Sequence, residues 1–304
     1  MAAPAAITRT ERTYYLIVAL WSFPGWFMHP IYPMFLLSRG LDLFQINVIL
    51  AIFLISTFAL EVPTGAVADI YGRKVSFLLS CAIRPVAFVL YYFADGFWGC
   101  AVAEIIDALG LTLATGALEA WAVDGARAEG DLRPADRMFA RAAMVTRTTM
   151  IAGGLVCGAL ADRYGLGVPW LVAAAIFVVA LCVGAFTMYD DRPLAMRARS
   201  TSARPSLFAT VGTGLRAVRG HRVMRAICGL TLLGALATMP VVMMWPPRLE
   251  ALAGGSYSML GEIWALLNLT AVIGAALAAF LAPRVRRDWL LAVIALWRLS
   301  LIHI

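Results

Sequence analysis

Residues 61–77 read EVPTGAVADIYGRKVSF. The polar interval from Gly65 to Lys74 separates apolar runs at 44–66 and 75–94. Each run has about the 20 residues a helix needs to cross a bilayer. Gly65 and Gly72 permit a tight turn and a close approach of helices. Asp69 can cap a helix start and accept from Arg73. A generic basic loop that only sets topology would also place Arg73 and Lys74 here.

The runs on either side are typical of the whole chain. Of its 304 residues, 62% are hydrophobic and 14% charged, with a mean hydropathy of +0.82. Soluble domains carry about 25% charged residues, so lipid must be the solvent for much of this chain. Hydrocarbon leaves no partner for an open backbone, which restricts spanning structure to helices or closed barrels. The runs exceed a barrel strand of about ten residues, so helices are expected. Spans are read at 14–37, 44–66, 75–94, 97–120, 143–162, 169–189, 226–247, 259–281 and 289–304. The first contains Pro24, Pro30 and Pro33. Arg9 and Arg12 ahead of it resemble a signal-peptide start, but the run continues to Leu37 without a small-residue cleavage site.

The net charge of +7 does not point to nucleic acid, because the basic residues lie in short loops between apolar runs. With the N-terminus in the cytoplasm, these spans place 19 Lys and Arg inside and 3 outside, a bias that sets the orientation. Eight of the inner arginines fall in 190–225, a Pro- and Ser-containing linker whose end, 206–225, reads either as an amphipathic surface helix or as solvated chain.

The order Gly65, Asp69, Gly72, Arg73, Lys74, at the inner end of spans two and three, resembles the signature loop of the major facilitator superfamily, with Ile70 where a basic residue is usual. Glu61-Val-Pro63-Thr-Gly65 and the stretch from Gly116 to Asp124 are similar to one branch of it. The resemblance implies an all-α membrane protein of the superfamily's bundle type, with six spans in an N-terminal half and about three of a second half. It implies domains at 1–190, 191–225 (basic cytoplasmic linker) and 226–304, in a chain shortened at its C-terminus, whose last residues need not be native. It further implies a conformational gate of Gly65, Asp69, Gly72, Arg73, Lys74 and Asp124, in which Arg73 pairs with both Asp69 and Asp124. With half of the gate's partners missing, an inward-open or splayed arrangement is expected. Span four lacks the superfamily's Arg-Gln-Gly associated with proton coupling, having Ile106 or a nearby acid before Gly110. Span five, with Gly153, Gly154 and Gly158, lacks the Gly-Pro pair of drug antiporters and reads as a close-packing face. Residues 158–165, GALADRYG, repeat the Gly-x-x-x-Asp-x-x-Gly spacing on the opposite side and read as a helix stop.

Charged residues within spans are costly, at least about 2.5–3.5 kcal/mol at mid-bilayer, so Arg84, Glu104 and Asp107 stand out. At 1.5 Å per residue, Arg84 lies about 13 Å up span three and Asp107 about 15 Å down span four, so Arg84 can meet Asp107 or Glu104. The three residues are either a substrate or proton site, or a structural ion pair locking two spans. Trp21, Trp26, Tyr32, Met239, Met243, Met244 and Trp245 line a cavity or serve as packing and interfacial anchors.

Cys81, Cys100, Cys157, Cys182 and Cys228 lie in apolar segments and read as small hydrophobes; with His29, His221 and His303 scattered, no metal or cofactor is expected. No residue set suggests covalent catalysis, so an enzyme is not expected. The resulting expectation is a monomeric secondary transporter of a small solute in a bacterial inner membrane, working by alternating access, with proton coupling open. A non-transporting scaffold or sensor, or an inactive fragment of a transporter, is the alternative.

Overall fold

The computed structural model describes residues 7–131, 134–191, 220–253 and 255–281. Every regular element among them is an α-helix. The first span is two helices, α1 (Arg9–Phe27) and α2 (Tyr32–Ser38), joined by a turn at 28–31. Pro30 explains the break, since it cannot donate and its ring crowds the preceding turn. The next helix, α3 (Leu43–Tyr71), starts at a capping box in which Asp42 and Gln45 satisfy each other's backbone N–H. It ends at Gly72, whose φ of 98° suits glycine alone and lets α4 (Arg73–Phe93) begin at once.

The fourth span runs past its expected end at 120. It continues from α5 (Gly96–Ala114) through a break at Gly116 into α6 (Ala117–Ala128). After it come α7 (Asp136–Tyr164), α8 (Val168–Thr187), α9 (Arg222–Ala253) and α10 (Tyr257–Leu281). Six helical segments among the described residues are long and apolar enough to cross a membrane, matching expected spans two to six and eight. Span seven is present as α9, which begins at Arg222, inside the stretch assigned to the linker. The ninth span and linker residues 192–219 lie outside the described residues.

Helix α4 packs against α5 and α8, α3 runs along α5, α1 along α7 and α8, and α10 along α7. Two apolar clusters form the core. One includes Phe35, Ile46, Phe88, Tyr91, Cys100 and Trp170; the other includes Tyr14, Phe77, Cys81, Leu118 and Trp121. Along both α4 and α5 the buried charges Arg84, Glu104 and Asp107 fall between them. Elsewhere large apolar side chains such as Phe58, Phe93 and Phe186 face outward, as a lipid solvent requires.

Candidate functional site

The centre of the bundle is built around Arg84. A Cβ on Gly110 of α5 would meet Arg84 Cγ at 2.5 Å, so glycine is what lets α4 and α5 close at this level. Arg84 Nε donates to Asp107 Oδ1 at 2.7 Å and Nη2 to Oδ2 at 3.1 Å, a two-pronged match of fork to carboxylate. The guanidinium also lies over the rings of Phe177, Trp21 and Phe88, at 4.6, 5.3 and 5.5 Å from their centroids.

Glu104 takes different partners. Tyr91, seven residues beyond Arg84 on the same face of α4, donates its hydroxyl to Oε2, and Tyr32 of α2 donates to Oε1 at 3.2 Å. The Tyr91 ring stacks on Trp170 of α8, at 4.2 Å and 16°. Both acid sets open onto a cavity of about 210 Å³ reached by α1–α5, α8 and Met243 of α9; Trp21, Trp26, His29 and Tyr32 are in its wall. A second cavity, about 490 Å³, shares Trp21, Trp26 and Leu111 with the first and extends to Glu119 and Phe139. The second cavity therefore lies beside the first, on the side of the bundle end that carries Arg73.

At that end, Arg73 donates to Asp124 and to the Ala120 carbonyl, the latter at 2.9 Å. Asp191 accepts the backbone N–H groups of Arg73 (2.6 Å) and Lys74 (3.1 Å), capping α4 from 118 residues away. Lys74 Nζ returns the favour at the C-terminus of α8, donating to the carbonyls of Met188 at 2.6 Å and Ala185 at 2.9 Å. Beside them Trp121 and Tyr189 stack and exchange ring-to-carbonyl hydrogen bonds.

The Major Facilitator Superfamily model matches residues 14–302. The chain belongs to this superfamily. Among curated proteins it is similar to the uncharacterized MFS-type transporter YxaM of Bacillus subtilis (strain 168), 25% identical over 269 residues, covering 88% of this chain and 65% of that one. The chain thus spans just under two thirds of that relative's length. The nucleoside transporter NupG superposes with a TM-score of 0.69 at 14% identity, over 90% of this chain and 67% of that chain. A bacterial homologue of the human drug peptide transporters PepT1 and PepT2 gives 0.53 at 17% identity, over 92% and 55%. At such identities the two structures establish the fold alone.

Three details of the superfamily loop differ from the expectation. Asp69 makes no ion pair with Arg73 among the described residues; it is exposed on α3 while Arg73, past the Gly72 turn, points to α6. The clamp therefore joins α4, α6 and the end of α8, and leaves α3 out. Gly65 has open space where a Cβ would be, so it marks no close approach among the described residues. Asp191, assigned to the linker, is buried and belongs with the bundle.

The repeated spacing at 158–165 does more than stop a helix. Gly165 (φ 86°, ψ 162°) ends α7 as Gly72 (φ 98°, ψ 153°) ends α3. Asp162 then caps α10, accepting from the N–H of Tyr257 at 2.7 Å and of Ser258 at 2.8 Å. Gly154 and Gly158 are the surface on which α10 lies, meeting Trp264 and Tyr257. Farther along, Arg147 donates to Asn268 at 3.1 Å. Of the expected cavity aromatics and methionines, Trp21, Trp26, Tyr32 and Met243 line the wall, whereas Met244 is about half exposed and Trp245 is not in the lining; the side chain of Met239 lies outside the described residues. Tyr91 was legible only as a residue at helical spacing from Arg84.

Glu129, just past α6, holds the start of α1 by accepting from Thr10 N–H at 3.0 Å and Thr10 Oγ1 at 2.6 Å. Burial by itself raises its pKa, but the bonds from Thr10, Thr8 and the Arg9 backbone together outweigh it and hold the carboxyl below its ordinary 4.5. A depressed pKa contributes stability above the unfolded value and loses it as pH falls through the folded one. Glu129→Gln is expected to cost about 1 kcal/mol or less at neutral pH, because the site is well solvated. Melting curves below pH 4.5 should show the wild type losing its advantage over this variant; a constant gap would contradict the cap.

Proposed function

We propose that this protein is a secondary transporter of a small solute, working by alternating access about the cavity that holds Arg84, Glu104 and Asp107. The observation that carries the reading is the cavity itself. It lies between helices of the first six spans and Met243 of α9, and intramembrane charges facing a cavity mark solute or ion paths. Residues 1–190 then act as one bundle and 226–304 as part of its counterpart, joined by the basic linker. The arginine distribution supports a cytoplasmic N-terminus in a bacterial inner membrane.

In this reading the two neighbouring cavities mark the inward route, toward the end that carries Arg73. The contact of α7 with α10 at Asp162 keeps the opposite end shut. The clamp of Arg73, Lys74, Asp124 and Asp191 keeps the inner end of the first bundle rigid, while exposed Asp69, with Gly65 and Gly72, is the part of the gate left for the other bundle. The test is solute flux in proteoliposomes carrying the complete gene product. Flux that saturates with solute and disappears in Asp107→Asn is the expected result. A correctly folded protein that binds solute without moving it would make the scaffold or sensor reading the better one.

A further inference from the structure

The wall of the central cavity carries charges that do not cancel. Arg84 is neutralised by Asp107 through two hydrogen bonds and is covered by three aromatic rings. Its charge is matched by Asp107, so an anionic ligand finds no unmatched cation there. Glu104 is bound by two phenols, each with a single O–H to give. Phenols neutralise no charge, and no cation forms an ion pair with Glu104 among the described residues. His29, the remaining titratable group of the lining, sits between the rings of Trp26 (4.6 Å) and Trp264 (5.5 Å), and no carboxylate pairs with it among the described residues. The described lining therefore has one cation and two carboxyl groups, and Glu104 is the acid that no cation matches.

Much of the rest of the wall is aromatic, with aliphatic side chains and methionines completing it. Trp21, Trp26, Tyr32, Phe88, Tyr91 and Trp170 face the same space. Ring faces attract a cation, and the attraction strengthens when the cation is desolvated. The volume, about 210 Å³, falls below the 300–1,000 Å³ typical of drug-sized pockets. We infer that the cavity takes a small organic monocation with a flat apolar body, its charge set against Glu104 and its ring among the indoles and phenols. The inference rests on the reading of this cavity as the solute site and adds the chemical class of the solute.

A charge series on one ring system tests it: N-methylquinolinium as the cation, quinoline as the neutral form, and quinoline-2-carboxylate as the anion, all at pH 8. Quenching of tryptophan fluorescence in the purified complete gene product reads binding, since three indoles are in the wall. The cation is expected to bind at least tenfold tighter than the neutral ring, and the anion weakest. Glu104→Gln should abolish the preference for the cation over the neutral ring. Should that variant fail to fold, the series on the wild-type protein decides alone. Binding led by the neutral ring or the anion would overturn the cation assignment and leave the cavity as a solute site. If none of the three rings binds, the solute-site reading falls and takes this inference with it.

Discussion

Arg84→Ala is expected to destabilise the protein by about 3–5 kcal/mol, since it strands Asp107 as a buried charge with its bidentate partner gone. Loss of the guanidinium also empties space between Gly25, Gly110 and the rings of Trp21, Phe88 and Phe177. The double variant Arg84→Met, Asp107→Leu removes both charges and keeps most of the volume. Replacing a buried pair by apolar residues is often close to neutral, so the double variant should melt well above Arg84→Ala in detergent. That ordering separates pair from site: recovery of stability without flux would show that the charges serve the solute. If Arg84→Ala melted like the wild type, water would have to reach Asp107 freely and the pair would not be the buried one described.

Gly158→Leu is the second large effect. A Cβ at Gly158 would come within 2.5 Å of the Tyr257 carbonyl oxygen and 2.9 Å of Ser258 Cα. These are backbone atoms at the start of α10, held there by Asp162, so no side chain can swing aside. Overpacking costs about 1–3 kcal/mol even where neighbours adjust, and here α10 must leave the face of α7. Cys157, fully buried beside this contact, is the reporter. In a background with the other four cysteines replaced, a thiol reagent should modify Cys157 much faster in Gly158→Leu than with Gly158 intact. Equal rates would mean that the glycine face does not hold α10.

These two sites show different degrees of legibility. The depths of Arg84 and Asp107 follow from helical rise and span boundaries, so their meeting was readable from one chain. The glycines of α7 were readable as a close-packing face, but not the helix that lies on it. Glu104 shows the limit in the other direction: it is one turn from Asp107 and at a suitable depth, yet it turns to Tyr91 and Tyr32 rather than to Arg84. Asp69 was expected beside Arg73 as part of the signature loop's gate, but the Gly72 turn puts them on different helices facing different ways.

By itself the sequence determined the helical class, the order of most spans, the turn at Gly72 and the superfamily. Each of these depends on properties that run along the chain: apolar length against bilayer thickness, glycine where φ is positive, and the spacing of a loop motif. The tertiary structure decided that Asp191 caps α4 across 118 residues, that Asp162 caps α10, that Gly65 meets open space, and that two phenols hold Glu104. Those outcomes depend on how each helix is rotated about its axis and which neighbour it faces. That rotation is set by side chains of several helices packing at once, and no single stretch of sequence contains it.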